Sequence, residues 1–128
     1  MSQEIYIIQK DKEMLLNIID KATFEEFHAN DNLKSLKSEI NRAKVIEQKL
    51  LSHTFIKMNS KVIMTVDQDE EELTLVYPED ADIKNNKISI LSPIGTAILG
   101  YCEGSSVEWK VPNGTVHIMI RNVIDLLP

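Results

Sequence analysis

The stretch ISILSPIGTAILGYCEGSSVEWKVPNGTVHIMIRNV, residues 88–123, decides the fold. It reads as strand, short helix and hairpin, and its glycines and prolines are the punctuation. ISIL is a short strand that stops at Ser92. Ser92 followed by Pro93 is a helix start: the serine side chain caps free N–H groups, and proline suits the first helical position. Ile94, Ala97 and Ile98 supply one apolar face, and Gly100 is placed to end the helix in a left-handed conformation. Glu103-Gly104 turns the chain. Val107, Trp109 and Val111 alternate with Glu108 and Lys110, Asn113-Gly114 reads as a tight hairpin turn, and Val116, Ile118 and Ile120 return with the same period.

Upstream, the period of two continues. Val62, Met64 and Val66 predict a strand, the acidic run Asp67–Glu72 a solvated turn, and Leu73, Leu75 and Tyr77 a second strand that Pro78 stops. ADIKNNK, residues 81–87, reads as a polar loop. The expected core of this half is Leu73, Leu75, Ile88, Ile90, Ala97, Ile98, Val107, Trp109, Val111, Val116, Ile118 and Ile120.

Ahead of residue 55 the pattern is helical, and all four glycines of the chain fall after it. Met14, Leu15, Ile18 and Ile19 make one helical stripe, with Asp11 as the expected N-cap. Leu33, Leu36, Ile40, Ala43 and Leu50 make a second, from about residue 30 to 51, capped by Asn30 or Asp31. The connector, residues 23–30, is short enough for an antiparallel helix pair. Ile5–Ile8 predicts a short extended segment.

Composition narrows function. With 128 residues, 43% of them hydrophobic, the chain can bury a core as one domain with a small appendage. A net charge of −6 without any Lys/Arg cluster argues against direct sequence-specific nucleic-acid binding. Aromatic residues at 5% are too few for a base-stacking surface. Cys102, the single cysteine, excludes an internal disulfide and a cysteine metal site, and reads as a small buried residue. No apolar run is long enough to span a bilayer and the N-terminus lacks a signal pattern, so a cytoplasmic protein without membrane contact is expected. His28, His53 and His117 lack metal-ligand spacing, so neither metal nor cofactor is expected.

Residues 88–123 resemble the C-terminal domain of the bacterial Gre transcript-cleavage factors. The resemblance rests on the order strand, Ser-Pro, helix, Gly, then Glu-Gly, an alternating strand, Pro-x-Gly and a closing strand. MNSKV (58–62), TLVYPEDAD (74–82) and SPIGTAILG (92–100) are similar to the short relatives called regulators of nucleoside diphosphate kinase. The resemblance implies an α+β fold: an antiparallel helical hairpin, a short coiled coil, over residues 1–54, and an FKBP-like antiparallel sheet with one short helix over 55–128. It implies docking on RNA polymerase at the rim of the secondary channel, with Ser92, Pro93 and Thr96 as contact residues. Some members carry an acid just before the Ser-Pro; Leu91 stands there, which suggests a more apolar contact.

In the longer Gre factors, acids at the coiled-coil tip help hold magnesium at the polymerase active centre. The candidates for that role here are Glu25, Glu26 and Asp31, near the expected hairpin tip; the alternative reading is solvated acids at a helix end, with Asp31 as N-cap. Helices of about 12–20 residues reach only about 18–30 Å, so a channel-mouth binder without transcript cleavage and without enzymatic activity of its own is expected. An active cleavage factor and a regulator of nucleoside diphosphate kinase are the alternatives. Prolyl isomerisation, suggested by the FKBP-like fold alone, is disfavoured, because a fold does not carry an activity and few aromatics remain to line a pocket.

Overall fold

A computed structural model describes residues 4–26, 31–46, 54–111 and 114–125. The chain runs β1 (Tyr6–Ile7), α1 (Gln9–Glu26), α2 (Asp31–Arg42), β2 (Lys44–Val45), β3 (Ser60–Val66), β4 (Asp69–Val76), β5 (Lys87–Ser89), α3 (Pro93–Ile98), β6 (Ser106–Val111) and β7 (Gly114–Asp125). The architecture is α+β, with a five-stranded sheet in the order β5-β4-β3-β7-β6 and a separate β1-β2 pair.

The sheet is mixed, where an antiparallel one was expected. β3, β4, β6 and β7 are antiparallel to their neighbours, but β5 runs parallel to β4. Pro78 stops β4 as expected, and two single-turn 3-10 helices (Pro78–Asp80 and Ile83–Asn85) carry the chain back, so that Lys87–Ser89 leaves in the same direction as Thr74–Val76. The acidic run is also divided differently. Only Asp67 and Gln68, both at positive φ, form the turn; the following acids are exposed residues of β4. β7 carries a bulge, with Arg121 as the extra residue between the partners of Ile63 and Met64.

The helices depart from their expected ends. α1 continues to Glu26, beyond the expected connector start. α2 stops at Arg42 rather than running to residue 51. Lys44 N–H donates to Ile5 O (2.9 Å) and Ile46 N–H to Ile7 O (3.0 Å), so β1 draws this segment into a parallel pair. Helix propensity is a weak preference that such pairing overrides. Leu50, expected on the helical stripe, lies outside the described residues.

Asp11 is not an N-cap. It sits inside α1 on the face of Leu15 and Ile19, and all three are buried. One carboxylate oxygen accepts from Met58 N–H (3.2 Å) and the other from Tyr77 O–H (3.2 Å). These bonds tie the first helix to both ends of the β3–β4 hairpin. Burial holds the Asp11 carboxyl above its ordinary range, and the Tyr77 hydroxyl is pushed up by burial and by Asp11 beside it.

Two glycines hold the helices close. A Cβ on Gly95 would stand 2.5 Å from Ser89 O, so only glycine lets α3 lie against the end of β5. Gly100 has φ +88°, as expected, and its carbonyl accepts from Tyr6 N–H (3.0 Å). One apolar core joins Ile5, Leu15, Ile19, Leu36 and Ile40 to Met64, Leu75, Ile98 and Ile118. Of the expected core positions, Leu73, Leu75, Ile90, Ile98, Val107, Ile118 and Ile120 are buried. Ile88, Ala97, Trp109 and Val116 are half-buried against them, and the Val111 side chain lies outside the described residues.

Two outcomes follow for Asp11. Asp11→Ala leaves the buried Met58 N–H without an acceptor and should destabilise by about 1–3 kcal/mol in urea unfolding; combined with Tyr77→Phe the loss should be less than additive. Because the native state holds the Asp11 proton more tightly than the unfolded chain, its contribution to stability is complete below the ordinary aspartate pKa of 3.8 and is lost as pH rises through the raised native value. Asp11→Asn should remove that downward slope; an unchanged pH profile would contradict this account.

Candidate docking surface

The start of α3 is built by a closed set of hydrogen bonds. Ser92 is extended (φ −72°, ψ 155°), and its hydroxyl accepts from Gly95 N–H (3.2 Å) and donates to Ser89 O (2.7 Å). Ser89 in turn accepts from Leu91 N–H (3.0 Å). Both expected roles, Ser92 as cap and Pro93 at the first helical position, hold. With the cap internally satisfied, Pro93 stands exposed beyond it.

Thr96 is placed differently from expectation. It is buried, 5% exposed, and its hydroxyl donates to Ile90 O (3.1 Å). Positions 93 and 97 follow the outer side of the helix, while Gly95, Thr96 and Ile98 face the protein. The family resemblance places Thr96 among the contact residues, whereas the fold turns it inward.

Pro93 and Ala97 border a groove of about 560 Å³ between α2, α3 and β6. Trp109 and Tyr101 give it apolar surface, Ser35 and Glu39 line its α2 side, and Glu108 and Lys110 reach it only along the β6 edge, because their side chains alternate with Trp109 to the other face of the sheet. Arg42 holds Glu39 (2.8 Å) and donates to the Tyr101 hydroxyl (3.3 Å). The Glu39 carboxylate raises the Arg42 pKa, and burial raises that of Tyr101, so the guanidinium is charged and the phenol neutral. The groove therefore combines half-buried apolar surface with the Glu39–Arg42 ion pair beside it. Ser35, Glu39 and Tyr101 escaped the sequence reading because only the tertiary fold brings α2 beside β6.

Glu25 and Glu26 end α1 and Asp31 begins α2. Their side chains lie outside the described residues, and among the described residues no group of three His, Cys, Asp or Glu could hold an ion. His28, His53 and Asn113 also lie outside them. His117 is exposed, with Nδ1 3.9 Å from Glu108. Cys102 is half-buried, and burial pushes its thiol up, which disfavours the reactive thiolate. No described helix is long and apolar enough to cross a membrane.

The described fold is thus a mixed five-stranded sheet with a pair of helices packed on it and an internally capped helix start beside an open groove. Residues 51–125 match the family described as transcription elongation factor GreA/GreB, C-terminal. The chain belongs to that family. A transcription elongation factor GreA of Chloroherpeton thalassium is 33% identical over 81% of this chain and 67% of its own length. A regulator of nucleoside diphosphate kinase of Escherichia coli is 34% identical over 62% of this chain. The chain spans 60% of that relative and 59% of a second GreA, from Thermodesulfovibrio yellowstonii. In structure it is similar to a GreA/GreB elongation factor of Nitrosomonas europaea, with a TM-score of 0.74, 34% identity, and coverage of 96% of this chain and 99% of the other.

The helix start separates fold from surface. Ser92→Ala should cost about 0.5–2 kcal/mol as a lost cap. Pro93→Ala should melt within a few degrees of wild type, since the donor it restores points to solvent at the first turn. Gly95→Ala, whose Cβ meets backbone, should cost about 1–3 kcal/mol. Thermal denaturation orders the three.

Proposed function

We propose that this chain is an RNA polymerase-binding transcription factor that docks at the rim of the secondary channel and does not stimulate transcript cleavage. The observation that carries this reading is the exposed Pro93 beside the α2–α3–β6 groove, at the position where the family resemblance implies polymerase contact. The Ser92 hydroxyl is consumed within the protein, so Pro93 and Ala97, rather than Ser92 and Thr96, are the contacts. Leu91 keeps the adjoining surface apolar.

The non-cleaving part of the proposal rests on reach. α1 has 18 residues and α2 has 12, so the longer helix extends about 27 Å at the usual rise. A hairpin of that length enters a channel mouth and occupies it. The chain itself performs no chemistry in this reading, needs no cofactor, and acts in the cytoplasm where transcription takes place. Regulation of nucleoside diphosphate kinase is a second reading, favoured by the name of the Escherichia coli relative.

Core polymerase pull-downs and stalled elongation complexes test the proposal. Pro93→Ala and Ala97→Glu should each weaken binding by about tenfold or more, as expected for a residue near an interface centre. The wild-type chain should leave the transcript 3′ end intact and reduce cleavage by a longer Gre factor through competition. Efficient cleavage by this chain alone would overturn the non-cleaving assignment, and Glu25→Ala, Glu26→Ala and Asp31→Ala would then identify the metal-holding acids. Retention of nucleoside diphosphate kinase in place of polymerase would favour the second reading.

A further inference from the structure

The five-stranded sheet has two edges, and they are finished differently. At the β5 edge the strand is three residues long, and Lys87 exchanges both backbone hydrogen bonds with Asp82 (2.9 Å each). At the other edge, β6 runs through six residues in unbroken register with β7, which is its one strand neighbour among the described residues. It contains no proline and no bulge, so of the usual devices that discourage a second strand it carries only charge, at Glu108 and Lys110. Its other side borders the groove, where Trp109, Tyr101 and Ala97 are only half-buried.

The charges on β6 are self-complementary. Glu108 and Lys110 are both exposed and flank Trp109. An antiparallel second β6 centred on Trp109 sets Glu108 of each copy opposite Lys110 of the other, twice by symmetry. Centring on residue 108 or 110 sets like charges against each other, and a half-step register mismatches the two faces of the sheet. In the favoured register the two Trp109 side chains become cross-strand neighbours on the face that carries α2 and α3, and the half-buried groove surface is covered.

We propose that the chain forms a twofold dimer by antiparallel pairing of β6 with β6, joining two five-stranded sheets into one. Self-association does not depend on the polymerase reading. If that reading also holds, the dimer covers Pro93, and the second copy and the polymerase exclude one another.

Sedimentation equilibrium of the full chain tests this, with Glu108→Lys, Lys110→Glu and the double exchange. The wild type should show a reversible monomer–dimer equilibrium that weakens as salt rises. Each single reversal places two like-charge pairs at the centre and should raise the dimer Kd by about tenfold or more. The double exchange should restore the wild-type Kd, and an equimolar mixture of the two single variants should form a heterodimer that neither variant forms with itself. Both positions are exposed, and circular dichroism establishes that each variant is folded. Should a reversal unfold, Glu108→Gln and Lys110→Gln remove the attraction without repulsion and should each weaken the dimer. A wild type that stays monomeric through the micromolar range, a dimer indifferent to these changes, or a mixture that fails to pair would overturn the proposal.

Discussion

Asp11 shares a helix face with Leu15 and Ile19, and that position obliges the rest of the molecule to supply donors to a buried carboxylate. An uncompensated charge in such a place would cost several kcal/mol. The donors come from far along the chain, Met58 at 47 residues and Tyr77 at 66. Satisfying Asp11 therefore requires the start of β3 and the end of β4 to meet the first turns of α1 in one arrangement. The charge of Lys57 lies near enough to favour the ionised form, and this lysine is itself buried with its ammonium 5.0 Å from the Phe55 ring centre. Hydrophobic contact alone would tolerate the helix pair in several orientations on the sheet; two directed hydrogen bonds to one carboxylate select among them.

The same junction is closed from its other side by backbone. Tyr6 N–H reaches Gly100 O, and Gly100 N–H reaches Ile56 O at 3.0 Å each. A side chain at Gly100 would strike the Tyr6 carbonyl, and its φ of +88° disfavours any other residue. Gly95 performs a similar service one turn earlier, against the end of β5. The placement of Pro93 thus depends on constraints set behind it: α3 can rest on the sheet because Gly95 has no Cβ, and it ends where Gly100 makes room for β1.

What was legible in the sequence follows the range of the forces involved. Ser92, Pro93 and Gly100 act on their immediate neighbours, and their cap, helix start and left-handed stop were readable from residue type. Strand alternation located β3, β4, β6 and β7, since one face of each packs on the core. The direction of β5 was not readable. Three residues carry no record of which way the preceding loop returns, and two single-turn helices decided it. The end of α2 was misread because Ala43 to Leu50 keep helical spacing, whereas β1 offers stronger pairing to Lys44–Val45. Asp11 was misread because aspartate near a helix start is commonly a cap. The contrary signal was present in its spacing of four and eight residues from Leu15 and Ile19, and it needed only an earlier helix start to be seen.

The candidate site divides along the same line. Its convex part, Pro93 above a satisfied Ser92 cap, is a local product and was found. Its concave part was not, because α2, α3 and β6 meet only through the core. That difference bears on how the surface can work. A hydroxyl bonded at 2.7 Å to Ser89 O and accepting at 3.2 Å from Gly95 N–H has little left to offer a partner. In the proposed docking, contact comes from shape and apolar area, with specificity from the Glu39–Arg42 pair beside the groove. On the polymerase-docking proposal, Ser92 contributes by holding Pro93 still, so the ordering cost at the helix start is already met within the free protein and does not fall on association.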